Sequence, residues 1–244
     1  MGITKSQLVE KRKEKVLKIA SVLGKELPEP KTELLFATPF QLLVSTVLAA
    51  QCTDKRINIA TAPLYAKYPD AHAIASLSEE VLKGYLKSVN FFNNKTKNVL
   101  ALSQALVEKF GGEVPQTLEE LTSLPGVGRK TAHVVMANCF GKPVLAVDTH
   151  VFRVSNRIGI AKAKDVLETE MQLMACIPTE MVADFHHYLI LHGRYTCKAQ
   201  SPNCAGCKIT DVCEFYEKNA AKAMKSSKPS KKSSEKDKKA SKKK

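Results

Sequence analysis

A lysine and an aspartate eighteen positions apart are the residues of this 244-residue chain best suited to covalent chemistry. The lysine, Lys130, lies in the segment 124–132, which reads LPGVGRKTA. Glycines at 126 and 128 permit positive φ and close backbone approach, and free N–H groups at a helix start bind anions. A lysine in that first turn sits at the positive end of the helix dipole, which disfavours its ammonium form. The segment therefore predicts a phosphate-binding hairpin beside a potential nucleophile. Asp148 is either a carboxylate that assists it or the N-cap of the next helix.

Nucleotide-binding loops fit this segment less well. With Gly128 as the second glycine of a P-loop, the lysine should follow directly and Ser123 should be a glycine, but Arg129 intervenes. A dinucleotide-binding loop needs a third glycine where Thr131 stands, and a preceding strand. A plain helix–turn–helix connection, in which the glycines serve only the geometry of the turn, stays open.

The positive charge of the chain is concentrated at its C-terminal end. Of the formal net charge of +14, residues 222–244 hold +9 from eleven lysines and two acidic residues, which leaves +5 for the rest. Such a lysine-rich segment without aromatic residues is typical of a disordered tail that either attracts nucleic acid weakly or only aids solubility. Because no apolar run could span a membrane and the N-terminus lacks the core of a signal peptide, we expect a cytoplasmic protein.

Four of the seven cysteines lie within seventeen residues. In an intracellular chain such a group indicates metal binding rather than disulfides. A structural zinc site usually draws on two separated pairs, whereas ligation by thiolates from one compact loop is typical of an iron–sulfur cluster. The x6–x2–x5 spacing favours the cluster, with zinc as the alternative. The four are Cys197, Cys204, Cys207 and Cys213.

The hydrophobic pattern predicts an all-α protein. Helical periodicity recurs through most of the chain with short polar connections, and no alternating strand pattern appears. The run 42–50 is apolar nearly all round, which indicates a central core helix. Pro63 predicts a kink or break, and Val144–Val147 is expected to be an extended link. The predicted helices are 6–25, 42–50, 56–67, 78–89, 94–110, 117–124, 129–140, 149–158, 168–176 and 180–192.

Several motifs occur in an order that resembles a known family. They are LPGVGRKTA at 124–132, VDTHVFR at 147–153, HGRYTC at 192–197 and the cysteine spacing. Together they resemble the endonuclease III family of DNA glycosylase/AP lyases, the iron–sulfur type within the helix-hairpin-helix superfamily. The resemblance covers roughly residues 6–217.

The resemblance implies two helical domains with a DNA-binding cleft between them. A six-helix domain over 32–142 would carry the helix-hairpin-helix, and residues 1–31 with 143–217 would form a domain around a 4Fe-4S cluster. Residues 218–244 would be a disordered lysine-rich tail. Such a protein would be a monomer that binds damaged double-stranded DNA and no membrane, and in a bacterium it would associate with the nucleoid.

The same resemblance assigns roles to individual residues. Lys130 would be the nucleophile and Asp148 the catalytic carboxylate. Gln51 would fill the gap left by an extruded nucleotide, and Phe91 would be the wedge between bases. The remaining DNA-contacting positions would be Leu124, Gly126, Val127, Gly128 and Lys198.

The implied function is a bifunctional enzyme of base excision repair. It would remove oxidised pyrimidines through a lysine Schiff base and then cleave the strand 3′ to the site by β-elimination. The alternatives are a pyrimidine-dimer glycosylase, a mismatch-adenine glycosylase, which typically lacks the lysine, or a non-catalytic DNA-binding module. His133, where the family often has asparagine, and the bulky Phe91-Phe92 pair depart from the family pattern at positions that bear on lesion preference.

Overall fold

The computed structural model of the protein describes residues 4–226, and all regular structure in that range is helical, which confirms the all-α prediction. None of these helices is long and apolar enough to cross a membrane. Two short 3-10 turns precede α11 and α12. The helices are α1 (Lys5–Glu26), α2 (Pro39–Leu48), α3 (Asp54–Lys67), α4 (Ala71–Ala75), α5 (Glu79–Leu86), α6 (Phe92–Phe110), α7 (Leu118–Thr122), α8 (Arg129–Phe140), α9 (Thr149–Ile158), α10 (Val166–Met174), α11 (Val182–Tyr195) and α12 (Glu214–Ser226).

The structure shows no helix break at Pro63, and it adds one short helix that was not predicted. Pro63 lies inside α3 without ending it. The carbonyl that Pro63 leaves unpaired belongs to Ile59, whose side chain is 65% exposed, so water can bind that carbonyl. The short helix α4 was not predicted, because its five residues are too few to show a period. The link at Val144–Val147 has no regular secondary structure, so it is not a short strand.

The buried apolar side chains form two separate cores. The first core lies between Leu34 and Met136, and α2 is its central helix, with eight of its ten residues buried. The second core combines Val16–Leu23 of α1 with residues from Leu145 to Ile209. The chain crosses between the cores at 27–34 and again at 144–145.

The C-terminal helix also departs from expectation. Helix α12 continues to Ser226, so residues 218–226, which were expected to be disordered, are helical. Residues 227–244, which make up the rest of the expected tail, lie outside the described range.

Two side chains of α8, Arg129 and His133, make polar contacts from the first core to the second. Arg129 at the start of α8 binds Glu170 of α10 with two hydrogen bonds, of 3.1 and 2.5 Å. The adjacent His133 is buried, and its Nδ1 lies 3.2 Å from the carbonyl oxygen of Leu145. His133 therefore packs between the cores, which gives no support to a direct role in lesion preference.

Candidate active-site cleft

A cleft of about 150 Å³ lies where the two cores meet. Its wall takes residues from the linker 31–34, the C-terminal end of α2, the first turn of α3, the N-cap of α9 and one face each of α8 and α11. Lys130 and Asp148 both line this cleft. The structure thus brings together the two residues that the sequence singled out for chemistry.

Asp148 is at once the N-cap of α9 and part of the cleft wall. Its Oδ1 accepts hydrogen bonds from the backbone N–H groups of His150 and Val151, each at 2.8 Å. Its Oδ2 lies 3.1 Å from Nδ1 of His150. The capping interpretation is therefore correct, and the cap also fixes the carboxylate at the cleft.

The electrostatic setting keeps Asp148 charged. Burial raises the pKa of Asp148, but the N–H of Val151, the charge of Lys130 and the contact with His150 outweigh burial, so the pKa lies below its ordinary value. The contribution of Lys130 places the two groups within electrostatic range of each other. A carboxylate that is charged at neutral pH can accept a proton or stabilise a developing cation.

The turn before α8 presents Lys130 at an exposed position in the first turn of the helix. Gly126 has a φ of +75°, and an added Cβ would come within 3.1 Å of the side chain of Asn98. Gly128 is the N-cap of α8, and an added Cβ there would meet nothing within 4 Å. The N–H groups of both glycines make no hydrogen bond within residues 4–226. They are free donors at a helix start, where an anion is favoured.

Leu124 and Val127 anchor the same turn. Their side chains are 3% and 6% exposed and belong to the first core, and the N–H of Val127 donates to the carbonyl of Leu124 at 3.1 Å. The expected DNA contact at these two positions cannot involve their side chains.

Gln51 and Phe91 lie in two neighbouring loops beside the cleft. Both have left-handed backbones, with φ of +56° and +58°, and both are exposed. Asn90 joins the loops, because its Nδ2 donates to the carbonyl of Gln51 at 2.8 Å and its N–H donates to Sγ of Cys52 at 3.2 Å. Positive φ in non-glycine residues costs of order 1 kcal/mol and clusters at functional sites. Ala50, next to Gln51, lines the cleft itself.

The four clustered cysteines lie in the segment between α11 and α12. Burial raises the pKa of Cys207 and Cys213, and the neighbouring cysteines contribute to both shifts, which places all four thiols within electrostatic range of one another. Within residues 4–226 no three His, Cys, Asp or Glu side chains are close enough to hold a single metal ion. In a 4Fe-4S cluster the four thiolates bind different irons, so thiols that are near one another without converging on one point suit that donor set.

Arg157 of α9 holds both ends of this cysteine segment. Its Nη1 lies 3.4 Å from Sγ of Cys197 and donates to the carbonyl of Lys198 at 2.7 Å. The Sγ of Cys213 lies 3.8 Å from the carbonyl oxygen of Arg157. Arginine N–H groups beside thiolates stabilise their negative charge and so support ligation.

Comparison with known proteins places this geometry in one family. Residues 44–179 match the HhH-GPD superfamily of base excision DNA repair proteins. The chain is 47% identical over 206 residues to Endonuclease III of Haemophilus influenzae, an alignment that covers 84% of this chain and 98% of that protein. It is 46% identical, with the same coverage, to Endonuclease III of Escherichia coli K12.

The chain belongs to the endonuclease III family. It is accordingly a base excision repair enzyme, a DNA glycosylase with AP lyase activity. A solved structure of a trapped endonuclease III–DNA covalent intermediate matches it with a TM-score of 0.80 and 42% identity, over 85% of this chain and 98% of that one. A thermostable thymine-DNA glycosylase has the same fold, with a TM-score of 0.76 at 22% identity over 84% of this chain and 98% of its own.

Lys198 stands apart from the other expected site residues of this endonuclease III family member. Its side chain is exposed in the cysteine segment, and it does not line the cleft. Its backbone carbonyl is held by Arg157 at 2.7 Å. Any contact of Lys198 with DNA would therefore lie outside the cleft.

Sequence reasoning missed a charged group in the cleft wall. Nη1 of Arg194 lies 2.7 Å from Oδ2 of Asp54 and also pairs with Glu33, which accepts a hydrogen bond from the hydroxyl of Tyr195. These residues come from α11, α3 and the linker before α2, so nothing local in the sequence connects them. Arg194 does lie within the HGRYTC motif, which was the one signal that could have found it.

Two adjacent histidines of α11, His186 and His187, also line the cleft. Their ring centroids are 5.0 Å apart. Burial, with a smaller contribution from His187, lowers the pKa of His186 to about 3, so this ring is neutral at physiological pH. Because the His186 ring is neutral, the positive charge of Lys130 is the largest charge effect that lowers the pKa of Asp148, with a smaller one from His150.

The buried ammonium of Lys95 supports the Gln51 loop. Lys95 is 7% exposed, and its Nζ donates to the carbonyls of Leu48 at 2.8 Å and Ala50 at 2.6 Å, with Sγ of Cys52 at 3.6 Å. These carbonyls lie at the C-terminal end of α2, where a cation is favoured. The backbone N–H of Lys95 also donates to the carbonyl of Phe91 at 3.1 Å, so this one residue is bonded to both loops.

Replacing Lys95 with methionine should lower stability without creating a large cavity. The carbonyls of Leu48 and Ala50 would lose a charged donor, which costs about 2–3 kcal/mol. For a chain of this size that corresponds to a fall in Tm of roughly 5–10 °C by thermal unfolding. Lys97→Met, an exposed lysine on the same helix, is the control and should change Tm by no more than about 2 °C. Equal Tm values for the two variants would contradict the capping role.

Proposed function

We propose that this enzyme removes oxidised pyrimidines from double-stranded DNA, with Lys130 as its nucleophile and Asp148 as its catalytic carboxylate. The observation that carries the proposal is the position of both groups on one cleft between the two cores, within electrostatic range of each other. An endonuclease III of the same fold has been trapped as a covalent intermediate with DNA, which supports covalent chemistry for this chain as well.

DNA binding begins with the backbone. The free N–H groups of Gly126 and Gly128 would hold phosphates of the strand that carries the lesion, a contact that fixes register without reading sequence. Chemistry on a base requires its removal from the stack, which is easiest for damaged bases. Gln51 would fill the space left by the extruded nucleotide, while Phe91 would insert between bases and offset part of the unstacking cost of a few kcal/mol.

The covalent step then takes place at the sugar. Nζ of Lys130 attacks C1′, and the bond between C1′ and the base breaks, so that the base leaves. Asp148 stabilises positive charge on the sugar or accepts the proton released by the amine. Opening of the sugar ring gives a Schiff base between Nζ and C1′. This cation acidifies the C2′ proton, loss of that proton breaks the C3′–O bond, and water then releases Lys130.

The four cysteines of the segment 197–213 would hold a 4Fe-4S cluster. The cluster would supply a rigid centre for the segment and take no part in the chemistry at the sugar. We also propose the domain division 32–142 and 1–31 with 143–217, which the two cores support. The protein would act as a cytoplasmic monomer, associated with the nucleoid in a bacterium.

The cluster assignment predicts colour and metal content. Purified protein should be yellow-brown and contain about four irons per chain. Cys204→Ser should lower the iron content, whereas Cys139→Ser, outside the segment, should not. A colourless protein with one zinc would contradict the cluster.

A panel of lesions in matched duplexes tests the function. Thymine glycol and an abasic site should both give a borohydride-trapped complex and a strand cut 3′ to the site. A cyclobutane pyrimidine dimer, adenine opposite 8-oxoguanine and undamaged DNA serve as competing substrates. Preferred trapping on the dimer, or preferred base release from the adenine mismatch, would assign the enzyme to one of those specificities. Binding of all lesions with neither trapping nor base release would indicate a non-catalytic module.

A further inference from the structure

A second depression, of about 650 Å³, lies on the other side of the Gln51 loop from the cleft. It is lined by the start of α3, from Thr53 to Ile59, and by the α5–α6 connection, 87–90. Ala49 and Ala50 line the cleft, whereas Thr53 and Lys55 line this second depression. Segment 49–55, with Gln51 at its exposed turn, is therefore the wall that separates the two.

Three cations line this depression, which we call the basic groove. They are Lys55, Arg56 and Lys87, and all three are exposed. Within residues 4–226 none of them has a carboxylate within salt-bridge distance, in contrast to Arg194, which pairs with Asp54 at the cleft, and to Arg129, which pairs with Glu170. A cluster of unneutralised positive charge in a concave surface favours a polyanion.

The α5–α6 connection, which leads into Phe91, fixes one of these cations in place. Nη1 of Arg56 donates to the carbonyl of Ser88 at 3.2 Å and lies 3.5 Å from Oδ1 of Asn90. Asn90 is in turn bonded to Gln51 and directly precedes Phe91. The positive charge of the groove thus lies directly beside the two residues proposed to enter the duplex.

The position of the basic groove indicates which DNA strand it would bind. When a nucleotide turns into the cleft, its partner base and the strand that carries it remain across the inserted Gln51 and Phe91. The free N–H groups of the α8 hairpin serve the strand that carries the lesion. The opposite strand also carries one phosphate per base, so positive charge on its side of the inserted residues would attract it.

We propose that the basic groove binds the sugar–phosphate backbone of the DNA strand opposite the lesion, through Lys55, Arg56 and Lys87. This inference rests on the proposed function, since it requires a duplex from which one nucleotide is extruded. The contacts would add affinity without sequence preference, because phosphates carry no base information.

The test measures binding of the full chain to a duplex that contains a tetrahydrofuran abasic analogue. Affinity is measured by fluorescence anisotropy between about 50 and 200 mM salt. Lys55→Gln with Lys87→Gln should weaken binding and reduce the slope of log affinity against log salt by about two. The matched control, Lys109→Gln with Lys142→Gln, removes two exposed lysines outside the groove and should leave the slope nearly unchanged.

Methylphosphonate linkages, which replace charged phosphates with neutral groups, identify the DNA strand that the basic groove binds. Neutral linkages beside the partner base, in the strand opposite the abasic analogue, should weaken wild-type binding and have little further effect on the double variant. The same linkages in the lesion strand should weaken both proteins equally. A double variant with the wild-type salt slope, or one that becomes insensitive to the lesion-strand linkages instead, would overturn the groove assignment.

Failure of the groove assignment and failure of the proposed function can be told apart in one set of measurements. If the wild type is trapped on an abasic duplex and binds the analogue, a negative result with the double variant rejects the groove alone. If the wild type is neither trapped nor binds the analogue more tightly than undamaged DNA, the proposed function and the groove assignment fail together.

Discussion

Replacing Lys130 with alanine is expected to abolish the borohydride-trapped complex and to slow base removal and strand cleavage by at least about 10⁴-fold, the scale on which enzymes lose rate with their nucleophile. Trapping requires an imine between the protein and C1′, and Lys130 is the exposed lysine that lines the cleft from α8. Within the described residues its side chain makes no hydrogen bond whose loss would leave a partner unpaired, so the variant should fold, with Tm lowered only slightly by the loss of its charge interaction with Asp148.

A control and a second substrate make this test specific. Lys142→Ala removes an exposed lysine just beyond the other end of α8 and should trap at the wild-type rate. Binding of Lys130→Ala to the tetrahydrofuran duplex should remain, because the hairpin N–H groups are still present. Equal trapping by Lys130→Ala and wild type would assign the nucleophile to another amine, for example the N-terminus or Lys31, which also lines the cleft.

The local features of this protein were predictable from the sequence because their causes are local. The apolar run 42–50 predicted a central helix, and α2 is the central helix of the first core. Of the two glycines expected to permit positive φ, Gly126 uses that freedom, with φ of +75°, whereas Gly128 has φ of −96°. The sequence also placed Lys130 in the first turn of a helix and suggested Asp148 as an N-cap, and both are observed.

What escaped prediction depends on the approach of distant segments. The pairing of Arg194 with Asp54 and Glu33 joins positions about 140–160 residues apart in sequence, and neither helical periodicity nor a local motif predicts such a contact. The left-handed backbones of Gln51 and Phe91 were equally hidden, because neither residue type favours that conformation. Lys95 resembles an ordinary helical lysine in sequence, and only the structure reveals that it is buried against the end of α2.

Asp148→Asn should separate the role of this residue as the N-cap of α9 from its proposed role as the catalytic carboxylate. Asparagine is about as good an N-cap as aspartate, so α9 should keep its first turn and the variant should fold. An amide can neither accept a proton from the amine of Lys130 nor stabilise a cation on the sugar. Base removal should therefore slow by roughly 10²–10⁴-fold, the usual contribution of a general acid or base. Cleavage at a preformed abasic site should slow less, since no base has to leave there.

The pH dependence of stability gives an independent measure of the same charge. The folded-state pKa of Asp148 lies below its ordinary value. Burial raises this pKa, but the N–H of Val151 and the charge of Lys130 lower it by more. Ionised Asp148 therefore stabilises the fold above about pH 4, and that contribution is lost as pH falls through the lowered pKa. Wild type should be more stable than Asp148→Asn in denaturant at neutral pH, and the difference should shrink toward acid. If the variant unfolded at the same denaturant concentration at every pH, and still excised bases at the wild-type rate, Asp148 would be a helix cap and nothing more.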